Sequence, residues 1–209
     1  MNNLKRIYSP LGQLMTLREA AYLLVSLPVG IAIGSILLTL YPLGLGLAII
    51  WIGVFILVGT QVFLRGVAFF ERQLANGMID AEISAPDPRP EPESTAGPGY
   101  VRFITWAKSV WTDPLPWRTL GWSTFRFIFA PVVFTIAVLF LTLPISLLVA
   151  PAGLAVEWAG IDTHTWIHMY WLGPIAFLVV APALAWLVRG SAELHRELGR
   201  WALGPGNRD

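Results

Sequence analysis

Residues 20–64 read AAYLLVSLPVGIAIGSILLTLYPLGLGLAIIWIGVFILVGTQVFL. No charge interrupts them, and the flanking charges are Glu19 and Arg65. A helix needs about 20 consecutive apolar residues to cross a bilayer. A run more than twice that long holds two spans and the turn between them. Proline and glycine in Tyr41-Pro42-Leu43-Gly44-Leu45-Gly46 place the turn. The stretch therefore reads as one helix over 20–41 and a returning helix over 45–64.

The rest of the chain divides around this hairpin. Residues 1–79 hold the hairpin and a continuation into water. Residues 80–99 follow, with Pro86, Pro88, Pro90, Pro92 and Pro98 set among Asp87, Glu91 and Glu93. Such a stretch buries too little apolar surface to offset its ordering entropy, so it reads as a disordered linker. Residues 100–126 open with Tyr100–Trp111. There Phe103, Ala107, Val110 and Trp111 fall near one helical face and Arg102, Thr105 and Ser109 on the other. Two tryptophans and basic residues on an amphipathic helix predict an element lying in the headgroup plane, as a juxtamembrane anchor or a lipid-sensing helix. Residues 127–209 hold a second hairpin, with helices over 127–149 and 169–188 and a polar tail. The expected fold is all-α, with four transmembrane helices in two tandem hairpins.

Composition agrees with lipid as the solvent. Hydrophobic residues make up 56% and charged residues 13%, against about a quarter charged in soluble domains. The chain has no cysteine, which excludes disulfides and thiolate metal sites. Lys5, Arg6 and Arg18 flank an apolar run too long for a signal peptide. All 14 Lys and Arg lie at the N-terminus, between Arg65 and Arg126, or after Val188. The turn near Tyr41 and the loop over 150–168 have none. By the positive-inside rule, both termini and the centre are expected in the cytoplasm of a cell-membrane protein. A net charge of +1 gives no sign of a nucleic-acid partner.

The second hairpin copies the first. One constant offset aligns Leu17 with Leu120, Pro28 with Pro131, Ile33 with Ile136, and Leu38-Thr39-Leu40 with Leu141-Thr142-Leu143. A longer offset aligns Arg65-Gly66 with Arg189-Gly190 and Arg72 with Arg196. The difference falls in the loop over 150–168. Each copy would enter from and return to the cytoplasm, which makes the repeat parallel, unlike the inverted repeats of many transporters. The paired prolines, Pro28 and Pro131, serve as hinges or as packing features.

Several stretches resemble the "putative sensor" family. They are Leu43-Gly44-Leu45-Gly46-Leu47-Ala48-Ile49-Ile50-Trp51-Ile52-Gly53, Arg65-Gly66-Val67-Ala68-Phe69-Phe70-Glu71-Arg72, Asp113-Pro114, Trp117-Arg118 and Arg189-Gly190-Ser191-Ala192. The resemblance covers nearly the whole chain, from about Leu17 to Leu203. It implies a four-helix membrane input domain of the kind often found at the N-terminus of actinobacterial and archaeal histidine kinases, and it carries over no site residue. About 20 residues follow the fourth helix, which is expected to leave no room for a phosphotransfer or ATP-binding domain. His195, within Glu193-Leu194-His195-Arg196-Glu197, is expected at the surface.

Candidate sites are few. Glu157, Asp162, His164 and His168 cluster in one loop, and the two histidines share a helical face. They are the only metal candidates; the alternatives are a plain interfacial pair beside Trp166, Tyr170 and Trp171, and a pair that responds to mildly acid pH, where histidine in general changes charge. Gly30 and Gly34 form a small-xxx-small pair, marking a homodimer face or the seam between helices 1 and 2. The proposed spans carry no Asp, Glu, Lys or Arg, which argues against a proton-coupled pump. No catalytic set or phosphate loop is present, so neither enzymatic activity nor a cofactor is expected. The expected role is a membrane sensor module that relays an envelope or bilayer stimulus to a separate kinase or transcription regulator. The competing roles are an accessory subunit of a transport system and a structural membrane protein.

Overall fold

The computed structural model describes residues 9, 13–89, 98–149 and 172–205. Five α-helices carry the described chain: α1 Leu14–Gly46, α2 Ile52–Ile79, α3 Gly99–Thr112, α4 Pro114–Val149 and α5 Leu172–Leu203. No strand occurs among the described residues. Four of the helices, all but α3, are long and apolar enough to cross a membrane. The protein is thus an all-α, multi-pass membrane protein.

Each long helix outruns the span expected from its sequence. α1 has 33 residues, which is about 50 Å at 1.5 Å per residue. α4 begins well before Phe127, and its local chemistry explains why. Leu115 N–H donates to Asp113 Oδ1 at 3.1 Å, so Asp113 caps the helix, and Pro114 takes its first position. α2 and α5 run on past Arg65 and Arg189, since no proline follows either residue until Pro86 and Pro205.

A 3₁₀ turn, Ala48–Ile50, joins α1 to α2. Gly53 N–H donates to Leu47 O at 3.0 Å. A Cβ on Gly53 would lie 2.0 Å from Gly44 O and 2.3 Å from Ala48 N, so the two strands of the turn pass at backbone contact. Trp51 has φ of 65°, a left-handed conformation, and its ring is exposed.

By contacts the chain forms two compact units. The first comprises Met1–Ser26 and Pro131–Leu194. Its buried side chains include Tyr22 and Leu23 from α1, Val133 and Phe140 from α4, and Leu184 and Val188 from α5. Arg189 clasps the start of α1. It donates to Gln13 Oε1 and, at 3.3 Å, to Thr16 Oγ1, and it lies 4.0 Å from Glu19 Oε2.

The second unit comprises Leu27–Ala130 and His195–Asp209. Its core is Ile33, Leu37, Leu64 and Val67, with Val29, Tyr41 and Leu120 packed against it. Gln61, fully buried, donates to the Tyr41 hydroxyl at 3.4 Å. α3 runs along α2 in the same direction, rather than across its end. Phe103 stacks on Phe55 at 5.1 Å, and ten residues later Asp113 pairs with Arg65. Ser109 and Val110 are the buried residues of α3, and Trp111 is exposed. The covered face therefore differs from that read from the sequence: it includes Ser109 and leaves out Trp111. Of the expected linker, residues 80–89 form no helix, but Ala81 and Ile83 are buried and Asn76 exchanges two hydrogen bonds with the Ile83 backbone, at 2.8 and 3.1 Å.

Gly30 and Gly34 mark neither of the two seams expected of them. Their faces meet α4. A Cβ on Gly30 would lie 3.4 Å from Ala130 Cβ, and one on Gly34 would lie 2.3 Å from Phe127 Cδ2 and 3.0 Å from its Cβ. Small residues on both helices allow this close approach. Over residues 27–46 and 114–130, α1 and α4 run antiparallel, since Gly30 faces Ala130 while Tyr41 and Leu120 line one groove. Two hairpins inserted in the same direction would instead set equivalent positions side by side, so the parallel arrangement expected of the repeat is not the one at this seam.

Gly34→Leu should lower the melting temperature in detergent, since overpacking typically costs about 1–3 kcal/mol. Gly59→Leu, where a Cβ meets nothing within 4 Å, should not.

Candidate functional site

Three helices of the second unit place a polar cluster in its interior. Past Arg65, α2 brings in Glu71. Trp122 and Arg126, one helical turn apart on α4, share a face toward it. The end of α5 supplies His195. Glu71 and Arg126 are each 1% exposed, His195 2% and Trp122 3%. Arg126 Nη1 lies 3.2 Å from Glu71 Oε1, and Trp122 Nε1–H donates to Glu71 Oε2. The imidazole of His195 stands edge-on to the Trp122 indole, 5.6 Å between centroids at 82°, and 6.4 Å from the Phe125 ring.

Such a cluster is expensive. Removing two ions from water costs several kcal/mol each, and their attraction offsets this only with close geometry and added hydrogen bonds. An apolar set of the same volume would pack the site with less desolvation. The pair therefore earns its place through specificity or function more readily than through stability. His195 makes the same point. Expected at the surface, it is buried instead, because the aromatic faces of Trp122 and Phe125 cover it.

The cations singled out in the sequence mostly act as clasps. Arg65 pairs with Asp113 and donates to Asp87 O at 2.7 Å. Arg196 donates to Ile79 O and Arg200 to Ala81 O, both at 2.9 Å, so α5 holds the end of α2 and the chain beyond it. Arg72 lies 5.4 Å over the Phe69 ring. Gly66 and Gly190 have open space where a side chain would stand. Glu157, Asp162, His164 and His168 lie outside the described residues.

Sequence reasoning missed Glu71, Trp122 and Arg126 as a set. One signal was present. The offset that carries Arg65 onto Arg189 also carries Glu71 onto His195, and the structure brings both of these to Trp122.

A family model described as "Putative sensor" matches residues 22–203. The chain belongs to the putative sensor family. No curated protein and no solved structure matches it. All four residues of the buried cluster lie within the stretch that defines membership of the sensor family.

Proposed function

We propose that this protein is a membrane sensor module whose buried cluster couples the bilayer-spanning helices to their polar continuations. One observation carries the reading. The two segments that leave the spans, Arg65–Leu74 on α2 and Arg189–Leu198 on α5, each send one side chain, Glu71 and His195, to the same indole of α4. A shift of α4 along its axis would disturb both segments at once. Regulation of this kind needs two arrangements that the stimulus binds differently. A buried ion pair held by one indole N–H supplies contacts that are either fully made or broken. The receiving partner in this reading is a signalling protein, a kinase or a transcription regulator.

Co-purification of the full chain from native membranes in mild detergent, followed by mass spectrometry, tests this. A kinase or regulator that is recovered with wild type and lost with Trp122→Phe supports the reading. Recovery of transport subunits alone overturns it.

The module sits in the cell membrane with termini and centre on the cytoplasmic side in this proposal, supported by the one-sided distribution of the 14 Lys and Arg. The charge distribution and the antiparallel seam of α1 with α4 make opposite demands on the segment between Asp80 and Pro98. A topology reporter fused within it is expected to read cytoplasmic. An external reading would overturn this orientation and side with the seam.

A further inference from the structure

The chain that leaves α2 is held in place along its length, and mostly by side chains. Arg196 donates to Ile79 O and Arg200 to Ala81 O, both at 2.9 Å. Asn76 bonds both the N–H and the carbonyl of Ile83, at 2.8 and 3.1 Å, and Arg65 donates to Asp87 O at 2.7 Å. Ala81 and Ile83 are buried, while Glu82 and Ser84 between and after them are exposed. Arg196, Gly199 and Arg200 share one face of α5. Gly199 makes room there, since a Cβ on it would lie 3.3 Å from Ile83 Cδ1. All of these residues belong to the second compact unit.

The backbone of this segment is strained. Asp80 and Glu82 both take left-handed conformations, with φ of 48° and 53°. A residue with a side chain resists that region, because its Cβ crowds the following carbonyl oxygen. Such strain persists only where surrounding contacts hold it. Here each grip from α5 falls on the carbonyl just before a left-handed residue: Ile79 O before Asp80, and Ala81 O before Glu82.

We propose that residues 79–87 form a latch, shut by the face of α5 that carries Arg196, Gly199 and Arg200, and opening when that face withdraws. Its hold on α5 is two long side chains and the seat of one isoleucine. A segment with so few buried apolar contacts opens locally, ahead of the helices around it. Opening melts no helix. It lets Asp80 and Glu82 relax, brings Ile83 into water and lengthens the free connection between α2 and α3. The inference does not rest on the relay reading, since no latch residue belongs to the buried cluster.

Limited digestion of the full chain in detergent with a glutamyl endopeptidase tests it, with the cut sites assigned by mass spectrometry. Cleavage after Glu82 reads the latch, and cleavage after Glu193, exposed on α5, reads the helix itself. Gly199→Leu puts a side chain where Ile83 sits and gives α5 a better helix former. Cleavage after Glu82 should rise roughly ten-fold or more, because proteolysis follows the open population. Cleavage after Glu193 and the melting temperature should stay at their wild-type values. Arg196→Gln combined with Arg200→Gln frees both carbonyls and should give the same pattern by a second route; it decides the matter alone if Gly199→Leu fails to fold. A wild-type rate after Glu82 in the folded variants overturns the proposal, since the segment then stays shut without α5. Equal acceleration after Glu82 and Glu193 overturns it too, because the segment then opens only as α5 melts.

Discussion

Gly53→Ala is expected to yield little or no folded protein, although it adds a single methyl group. The carbon would lie 2.0 Å from Gly44 O, 2.3 Å from Ala48 N and 2.4 Å from Leu47 C. All three are backbone atoms, so no rotamer change gives way. Relief requires the turn itself to open, which breaks the Gly53 N–H bond to Leu47 O and separates the ends of α1 and α2. The core of Ile33, Leu37, Leu64 and Val67 depends on that hairpin being closed. The loss should exceed the roughly 1–3 kcal/mol usual for an overpacked side chain. Monodisperse yield by size exclusion and thermal melting in detergent measure it. Gly59→Ala is the control. It lies in the same helix with nothing within 4 Å of the added carbon, and should match wild type or gain up to about 1 kcal/mol from helix propensity. A wild-type melt for Gly53→Ala would show that the turn tolerates a wider crossing.

The hairpin, the helical class and the existence of four spans were legible because each rests on a local and repeated signal. The uncharged run from Ala20 to Leu64 with its proline–glycine turn needs no tertiary knowledge. Helix ends were less legible. α4 starts at Pro114 because Asp113 caps it, and a cap competes with hydropathy, which placed the start at Phe127. The glycine pair was recognised as a close-approach face, but its partner was not. Nothing in the local pattern of Gly30 and Gly34 names Phe127 and Ala130, nearly a hundred residues away. His195 was misplaced for a related reason. Glu193, Arg196 and Glu197 make its neighbourhood look solvated, yet Ala192, His195 and Gly199 form the inward stripe of α5. Burial there is set by Trp122 and Phe125, which belong to another helix. The polar cluster as a whole has the same character: each member is ordinary in its own segment, and only their meeting is informative.

That meeting can be measured by a double-substitution cycle. Arg126→Met alone is expected to destabilise the protein by roughly 3–5 kcal/mol, since it strands Glu71 as a buried charge in a site that is 1% exposed. Glu71→Gln alone should cost a similar amount by stranding the guanidinium. Glu71→Gln combined with Arg126→Met removes both charges and keeps a carbonyl able to accept from Trp122 Nε1–H. The combination should recover most of the loss, because a neutral site no longer bears the desolvation of two ions. Thermal melting of the four proteins in one detergent gives the coupling directly. Additive losses would mean that the two side chains do not share a site. Recovery of stability opens the more telling comparison, that between fold and function. A cluster kept for packing would leave the recovered variant fully active in whatever response the wild-type protein controls. A cluster that transmits movement of α4 to Arg65–Leu74 and Arg189–Leu198 should leave it folded and silent, because the contact that is made in one arrangement and broken in the other has been removed.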